Sequence, residues 1–175
     1  MILSVGTRFP TKKPTLQFGA YGQIVKEMQK ALNQRLVQLD TVSRYPLSVS
    51  TTGYFDRQTR DAVKYLQCLA FLTIDGVVGE KTWAYLCQGS GSLPKLCIGN
   101  TGTIVKAVQE TLKVGGYYYG AIDGIFGAKT EQAVQAFQAE HFLVSDGIIE
   151  AFTWYALSKL ETHASRCNLN AFRGY

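Results

Sequence analysis

The chain has 175 residues, 46% of them hydrophobic and 18% charged, the proportions of a globular protein rather than of a disordered or fibrous one. No apolar stretch approaches the ~18 residues that span a bilayer, and Met1 to Pro14 lacks the apolar run of a secretory leader, so export is expected to use another route or a leader already removed. Eighteen Lys and Arg against 13 Asp and Glu leave a net charge of +5, but the basic residues are scattered, with Lys12-Lys13 the one adjacent pair; that pattern disfavours nucleic acid as a partner and leaves a mild attraction for anionic polymers.

Read in order, the chain first offers a helix in which Val25, Met28, Leu32 and Leu36 recur at helical spacing and face a core. A stretch from Leu36 to Ser50, rich in β-branched and polar residues, is expected to lengthen this helix and add a hairpin-like loop. A second helix buries Ala62, Val63, Leu66 and Ala70 and starts after Asp56, a good N-cap. Asp75-Gly76 then makes a tight turn, Val77-Val78 a short extended bridge, and Gly79 opens a third, short helix carrying Trp83. Cys87 to Lys95, with its Gly-Ser-Gly-Ser run, reads as a linker.

Beyond the linker the sequence repeats itself. Pro14 to Lys26 aligns with Pro94 to Lys106 at an offset of 80. The match resumes at an offset of 71, with Gly53 to Gln67 lying on Gly124 to Gln138 and Asp75 to Leu86 on Asp146 to Leu157. The first copy therefore carries nine extra residues between Leu32 and Gly53. Such self-similarity marks tandem units. In the second copy Val105, Val108 and Leu112, then Ala133, Val134 and Phe137, take the core positions, and Gly127 takes the N-cap slot of Asp56. Glu150 replaces Gly79; since glutamate is a poor N-cap, this helix is expected to be entered differently. The tail from Glu161 to Tyr175 has no counterpart in the first copy and is expected to be weakly ordered or draped on the surface.

The three ordered blocks resemble the bacterial peptidoglycan-binding domain 1 family. They are Gly22-x-x-Val25-x-x-Met28-Gln29-x-x-Leu32, Asp123-Gly-Ile-Phe126-Gly-x-x-Thr130-x-x-Ala133-Val134-x-x-Phe137-Gln138, and Asp75-Gly-Val-Val-Gly79-x-x-Thr82-Trp83-x-x-Leu86. The resemblance implies an all-α protein of two tandem three-helix repeats. Its parts are an N-terminal extension (1–13), repeat 1 (14–87, with its insertion around 33–52), a linker (88–93), repeat 2 (94–158) and a C-terminal tail (159–175). It further implies non-catalytic attachment to cell-wall peptidoglycan, by stem peptide or glycan, in the periplasm or cell wall, without a cofactor or metal. A cell-wall hydrolase or envelope protein is a further expected partner. The alternative is a protein-interaction or regulatory module of the envelope.

The chemistry-bearing residues fit a binding role. His141 and His163 are the two histidines, and neither H-E-x-x-H nor G-x-S-x-G occurs. Ser92-Leu-Pro-Lys95 matches S-x-x-K formally but puts proline where a helical turn is needed. Asp123 and Asp146 could be counted as a glycosidase pair, yet each is explained by its Asp-Gly turn. Cys68, Cys87, Cys97 and Cys167 are spaced 19, 10 and 70 apart with no C-x-x-C, so zinc is disfavoured. Four cysteines allow three complete pairings, among which the sequence does not choose, and free thiols are the plainer expectation. Gln29, Gln67, Gln109 and Gln138 occupy matching border positions and are expected to hold turn carbonyls. Trp83 and Trp154 are assigned to the core. Of Tyr117-Tyr118-Tyr119, one is expected buried and one exposed. The candidate ligand groove is placed in repeat 2, around Tyr118, Tyr119, Asp123, Phe126 and Gln138, where the turn from Gly120 to Gly127 keeps small residues.

Overall fold

The structure is a computed structural model, which describes residues 13–39 and 48–167. Repeat 1 is built of α1 (Gln23–Leu39), α2 (Arg57–Leu69) and α3 (Glu80–Gln88); repeat 2 of α4 (Thr103–Val114), α5 (Ala128–Glu140) and α6 (Ala151–Ser158). A short helix, α7 (Glu161–Arg166), follows, and one 3-10 turn (Gly89–Ser92) joins the copies. The fold is all-α, as the periodicity implies. Each copy has its own core: Val25, Met28, Leu32 and Leu36 meet Val63 and Leu66 in the first, and Val105, Val108 and Leu112 meet Val134 and Phe137 in the second.

The extended residues form isolated antiparallel bridges that tie each repeat's entry segment to its turns. Leu16 pairs with Val78 and Tyr21 with Tyr54; Leu96 pairs with Ile149 and Thr101 with Ile125. Trp83 and Trp154 are both buried, and each indole N–H donates to a proline carbonyl at the start of its copy, Pro14 O and Pro94 O, at 2.8 Å. These bonds satisfy the polar edge of a ring otherwise committed to the core.

The structure resolves the duplication into a finer period. Four times, a helix is followed by a turn whose glycine has a positive φ: Gly53 (81°), Gly76 (73°), Gly124 (75°) and Gly147 (74°). Each turn is clamped by the glutamine of the preceding helix. Gln109 accepts from Gly124 N at 2.8 Å and donates to Ile125 O, Asp123 Oδ1 and Thr130 Oγ1. Gln67 and Gln138 repeat the pattern on Gly76, Val77 O, Asp75 and Thr82, and on Gly147, Ile148 O, Asp146 and Thr153. Gln29 does the same with Gly53, Tyr54 O and Thr59, and here Thr52 Oγ1 receives Tyr54 N as the aspartates do elsewhere. The glutamines thus hold turn groups in both copies. Gly124 also needs its missing side chain, because a Cβ would lie 3.1 Å from Gly102 O.

Several local expectations are corrected. Glu150 enters α6 with the same extended backbone as Gly79 at α3 (φ −124°, ψ −169° against φ −87°, ψ −169°), and its carboxylate pairs with Lys95 at 2.8 Å instead of capping. Neither position makes a side-chain cap hydrogen bond, so the shared extended backbone is what starts both helices, and the salt bridge gives the Glu150 side chain a use elsewhere. Helix α1 does run beyond the length of α4, to Leu39, and Asn33 bonds both Val49 N and Val49 O across the far end of the inserted stretch; residues 40–47 of the expected hairpin-like loop lie outside the described residues. The Gly-Ser run is the 3-10 turn, pinned by Arg35, which donates to Leu86 O and Cys87 O at the end of α3.

The tail is the largest departure. His163, Ala164 and Cys167 are buried, and Cys167 forms a disulfide with Cys68 of α2, at a sequence separation of 99. The expectation of free thiols therefore fails for this pair, while Cys87 and Cys97 remain free. The tail docks because α7 packs on α4 and α6 of repeat 2 while Ala164 and Cys167 join the core of repeat 1. Residues 168–175 of the tail lie outside the described residues.

Candidate functional site

Of the proposed groove residues, Tyr118 and Tyr119 line one depression, whereas Asp123, Phe126 and Gln138 are not in its lining. Tyr119 is 88% exposed and Tyr118 only 4%, so the tyrosine run contributes one buried and one exposed ring. Tyr118 donates to Ala121 O at 2.6 Å, and its hydroxyl lies where a Cβ on Gly120 would be; the small residue there makes room for Tyr118. Asp123 is exposed, but its Oδ1 accepts from Gln109 and from Ile125 N. Those two bonds hold its carboxyl below the usual carboxylate range. Phe126 and Gln138 are buried, Phe126 in the core and Gln138 on the turn of Asp146.

The depression has a volume of about 260 Å³ and is lined by Tyr117, Tyr118, Tyr119, Lys129 and Gln132. It offers one protruding phenol, an ammonium and an amide. Such a combination suits the rings and hydroxyls of a sugar, since a phenol gives a flat apolar face and a polar tip. The first copy displays different aromatics. Tyr21 (82% exposed) and Tyr54 (49%) face each other across their bridge, where the copy-2 residues are Thr101 and Ile125.

A second concavity, of about 480 Å³, lies at the junction of the copies. The disulfide and His163 form part of its wall, together with Phe71 of repeat 1, Ile104 and Ala107 of α4, and Arg166 of α7. Phe71 stacks on His163 at 4.3 Å between ring centroids and lies 5.1 Å from Trp154. The ring nitrogens of His163 lie 3.2 Å from Cys68 O and 3.4 Å from Thr111 Oγ1. Burial disfavours the charged imidazolium and lowers the His163 pKa to about 4. Arg166 bonds Glu110 at 3.1 Å on the rim.

This junction escaped the sequence reading for physical reasons. It is made by residues from three separate segments, and the cysteine spacing gave no pairing. A usable signal did exist: Phe71 and Phe142 recur at one slot, and both adopt the left-handed conformation at φ 56°. That conformation is costly for a bulky residue. Phe71 is used between the copies, whereas Phe142 is 97% exposed.

The chain is thus a tandem of two three-helix units, each with its turns clamped by glutamines and each with its own core. The model of the family "putative peptidoglycan binding domain" matches residues 21–86 and again 101–157. The chain belongs to that family, in two copies. It is 33% identical over 125 residues to the N-acetylmuramoyl-L-alanine amidase CwlM of Mycobacterium tuberculosis, covering 68% of this chain and 31% of the amidase. Against the N-acetylmuramoyl-L-alanine amidase CwlL of Bacillus licheniformis it is 30% identical over 172 residues, 83% of this chain and 45% of that one. The chain thus spans less than half the length of both amidases. An uncharacterized protein of Kitasatospora aureofaciens is 42% identical over 83 residues, 46% of this chain and 68% of its own. Among solved structures, the SleB N-terminal domain is 36% identical, with a TM-score of 0.37, covering 38% of this chain and 90% of its own.

Proposed function

We propose that the two copies hold cell-wall peptidoglycan without cleaving it, and that the chain works in the cell envelope beside, or joined to, a wall hydrolase. The observation that carries this is the double family match over both structural units, supported by the amidases that share the sequence. The contact surface of repeat 2 is the depression beside Tyr119, with Lys129 and Gln132 as polar neighbours. Repeat 2 contributes the larger share of binding, because its turn is free of the insertion that flanks repeat 1. Two weak sites on one chain raise retention on a polymer through effective concentration.

The geometry favours binding over hydrolysis. Asp123 and Asp146, the carboxylates a glycosidase reading would use, each accept from a glutamine and a backbone N–H inside separate turns. Both are held below the usual carboxylate range, Asp123 chiefly by Gln109 and Asp146 chiefly by the Ile148 N–H. A general acid needs the opposite shift. The test incubates purified protein with wall sacculi and measures reducing ends and free amines as well as the pelleted fraction. Pelleting without release supports the proposal; release of either product overturns the non-catalytic part.

A further inference from the structure

We propose that the groove at the junction of the two repeats is a composite site for the peptide stem of peptidoglycan, and that it exists only while the Cys68–Cys167 disulfide holds α7 in place. The inference rests on the wall-binding reading and adds to it a location, a ligand class and a dependence on the tail.

Three observations converge on it. The groove encloses about 480 Å³, within the ~300–1,000 Å³ of clefts that hold small ligands. Its walls come from both copies and the tail: Leu72 and Ile74 from repeat 1, Ile104 and Ala107 from α4, Arg166 from α7. No single repeat carries all of them.

The lining selects between the two chemistries that peptidoglycan offers. A glycan is recognised by open aromatic faces with many donors and acceptors around the sugar edge. Phe71, the aromatic ring in this wall, already stacks on His163 and abuts Trp154. What remains is a short aliphatic trough with threonine hydroxyls from Thr73 and Thr103 and an Arg166–Glu110 pair at its rim. A wall stem is a chain of small aliphatic residues bearing free carboxylates, and in part a free amine. Its methyl groups match Leu72, Ile74, Ile104 and Ala107. Its carboxylates match Arg166, whose guanidinium carries five donors and spends Nη2 on Glu110. Its amine matches Glu110. Arg166 and Glu110 are 45% and 36% exposed, so both reach solvent and a ligand.

The disulfide makes the site conditional. Arg166 directly precedes Cys167 in the chain, and the bond anchors that turn to α2. Opening the bond removes the covalent tether between Arg166 and the repeat 1 wall.

The test is isothermal titration of the oxidised full chain with two probes: a synthetic stem pentapeptide with free carboxylates, and a peptide-free glycan tetramer. The parent should bind the pentapeptide. Arg166→Ala, Ala107→Trp, which fills the trough, and Cys167→Ser should each weaken that binding at least tenfold and leave glycan binding unchanged. Because Arg166 is exposed, its alanine variant keeps the fold, and a melting curve for each variant verifies this. Sacculus pelleting of the parent is run alongside. If the parent pellets but the pentapeptide does not bind, or binds all variants equally, the groove assignment is overturned and the wall-binding reading stands. If the parent does not pellet, both fall.

Discussion

The Cys68–Cys167 disulfide should carry a large part of the stability of the chain. It closes a loop with a sequence separation of 99, and cross-linking a loop of about 100 residues lowers the entropy of the unfolded chain by an equivalent of about 4.7 kcal/mol. Native-state strain and residual structure in the unfolded ensemble reduce that figure, so a loss of about 3–5 kcal/mol is expected for Cys68→Ser with Cys167→Ser. The double variant avoids leaving one thiol unpaired. At roughly 2–4 °C per kcal/mol for a chain of this size, the midpoint should drop by about 6–20 °C. Urea unfolding of parent and variant measures the change directly, and the parent treated with a dithiol reductant should track the variant. Loss of the bond also frees α7, so the two copies should unfold less cooperatively. A change below about 1 kcal/mol would refute the argument, because it would mean that the junction holds without its covalent link.

Four further outcomes follow from the geometry. Gln138→Ala removes the donors to Asp146, Ile148 O and Thr153 and the acceptor for Gly147 N; leaving such groups buried and unpaired should cost about 2–4 kcal/mol in chemical denaturation. His163 is held neutral, with its pKa lowered to about 4 from 6.5, so between those values the unfolded state binds the extra proton. Stability is then full above about pH 6.5 and falls by about 3 kcal/mol as pH drops toward 4, and His163→Phe should flatten that part of the profile. Phe142→Gly should raise stability by about 0.5–1 kcal/mol by relieving an exposed residue at positive φ, whereas Phe71→Gly should lower it by about 2 kcal/mol or more through lost packing. Glu150→Gly should shift stability by less than about 0.5 kcal/mol, since the Lys95–Glu150 pair is 58% exposed on both sides.

Much of the helical frame is readable from periodicity because a repeated sequence reports each core position twice. Val25 and Val105, or Leu66 and Phe137, support each other as evidence, and the structure buries all four. The glutamines were readable as turn holders for a local reason: a polar residue beside a core stripe needs partners. Their fourfold period was harder to see, since Thr52 stands where the other turns have aspartate. The junction was opaque. Its covalent link joins residues 99 apart, and its stacking brings together Phe71 and His163 from segments far apart in the sequence. Among the residues proposed for the repeat 2 groove, the burial of Tyr118, Phe126 and Gln138 follows from packing that spacing alone does not reveal.

Binding to the wall itself is most directly measured by co-sedimentation of the oxidised chain with purified sacculi over a range of protein concentrations. A saturable isotherm that weakens with added salt, as the +5 charge requires, and that disappears for thermally unfolded protein is the expected result. A bound fraction that stays at the level of an unrelated basic protein of similar size would contradict the account.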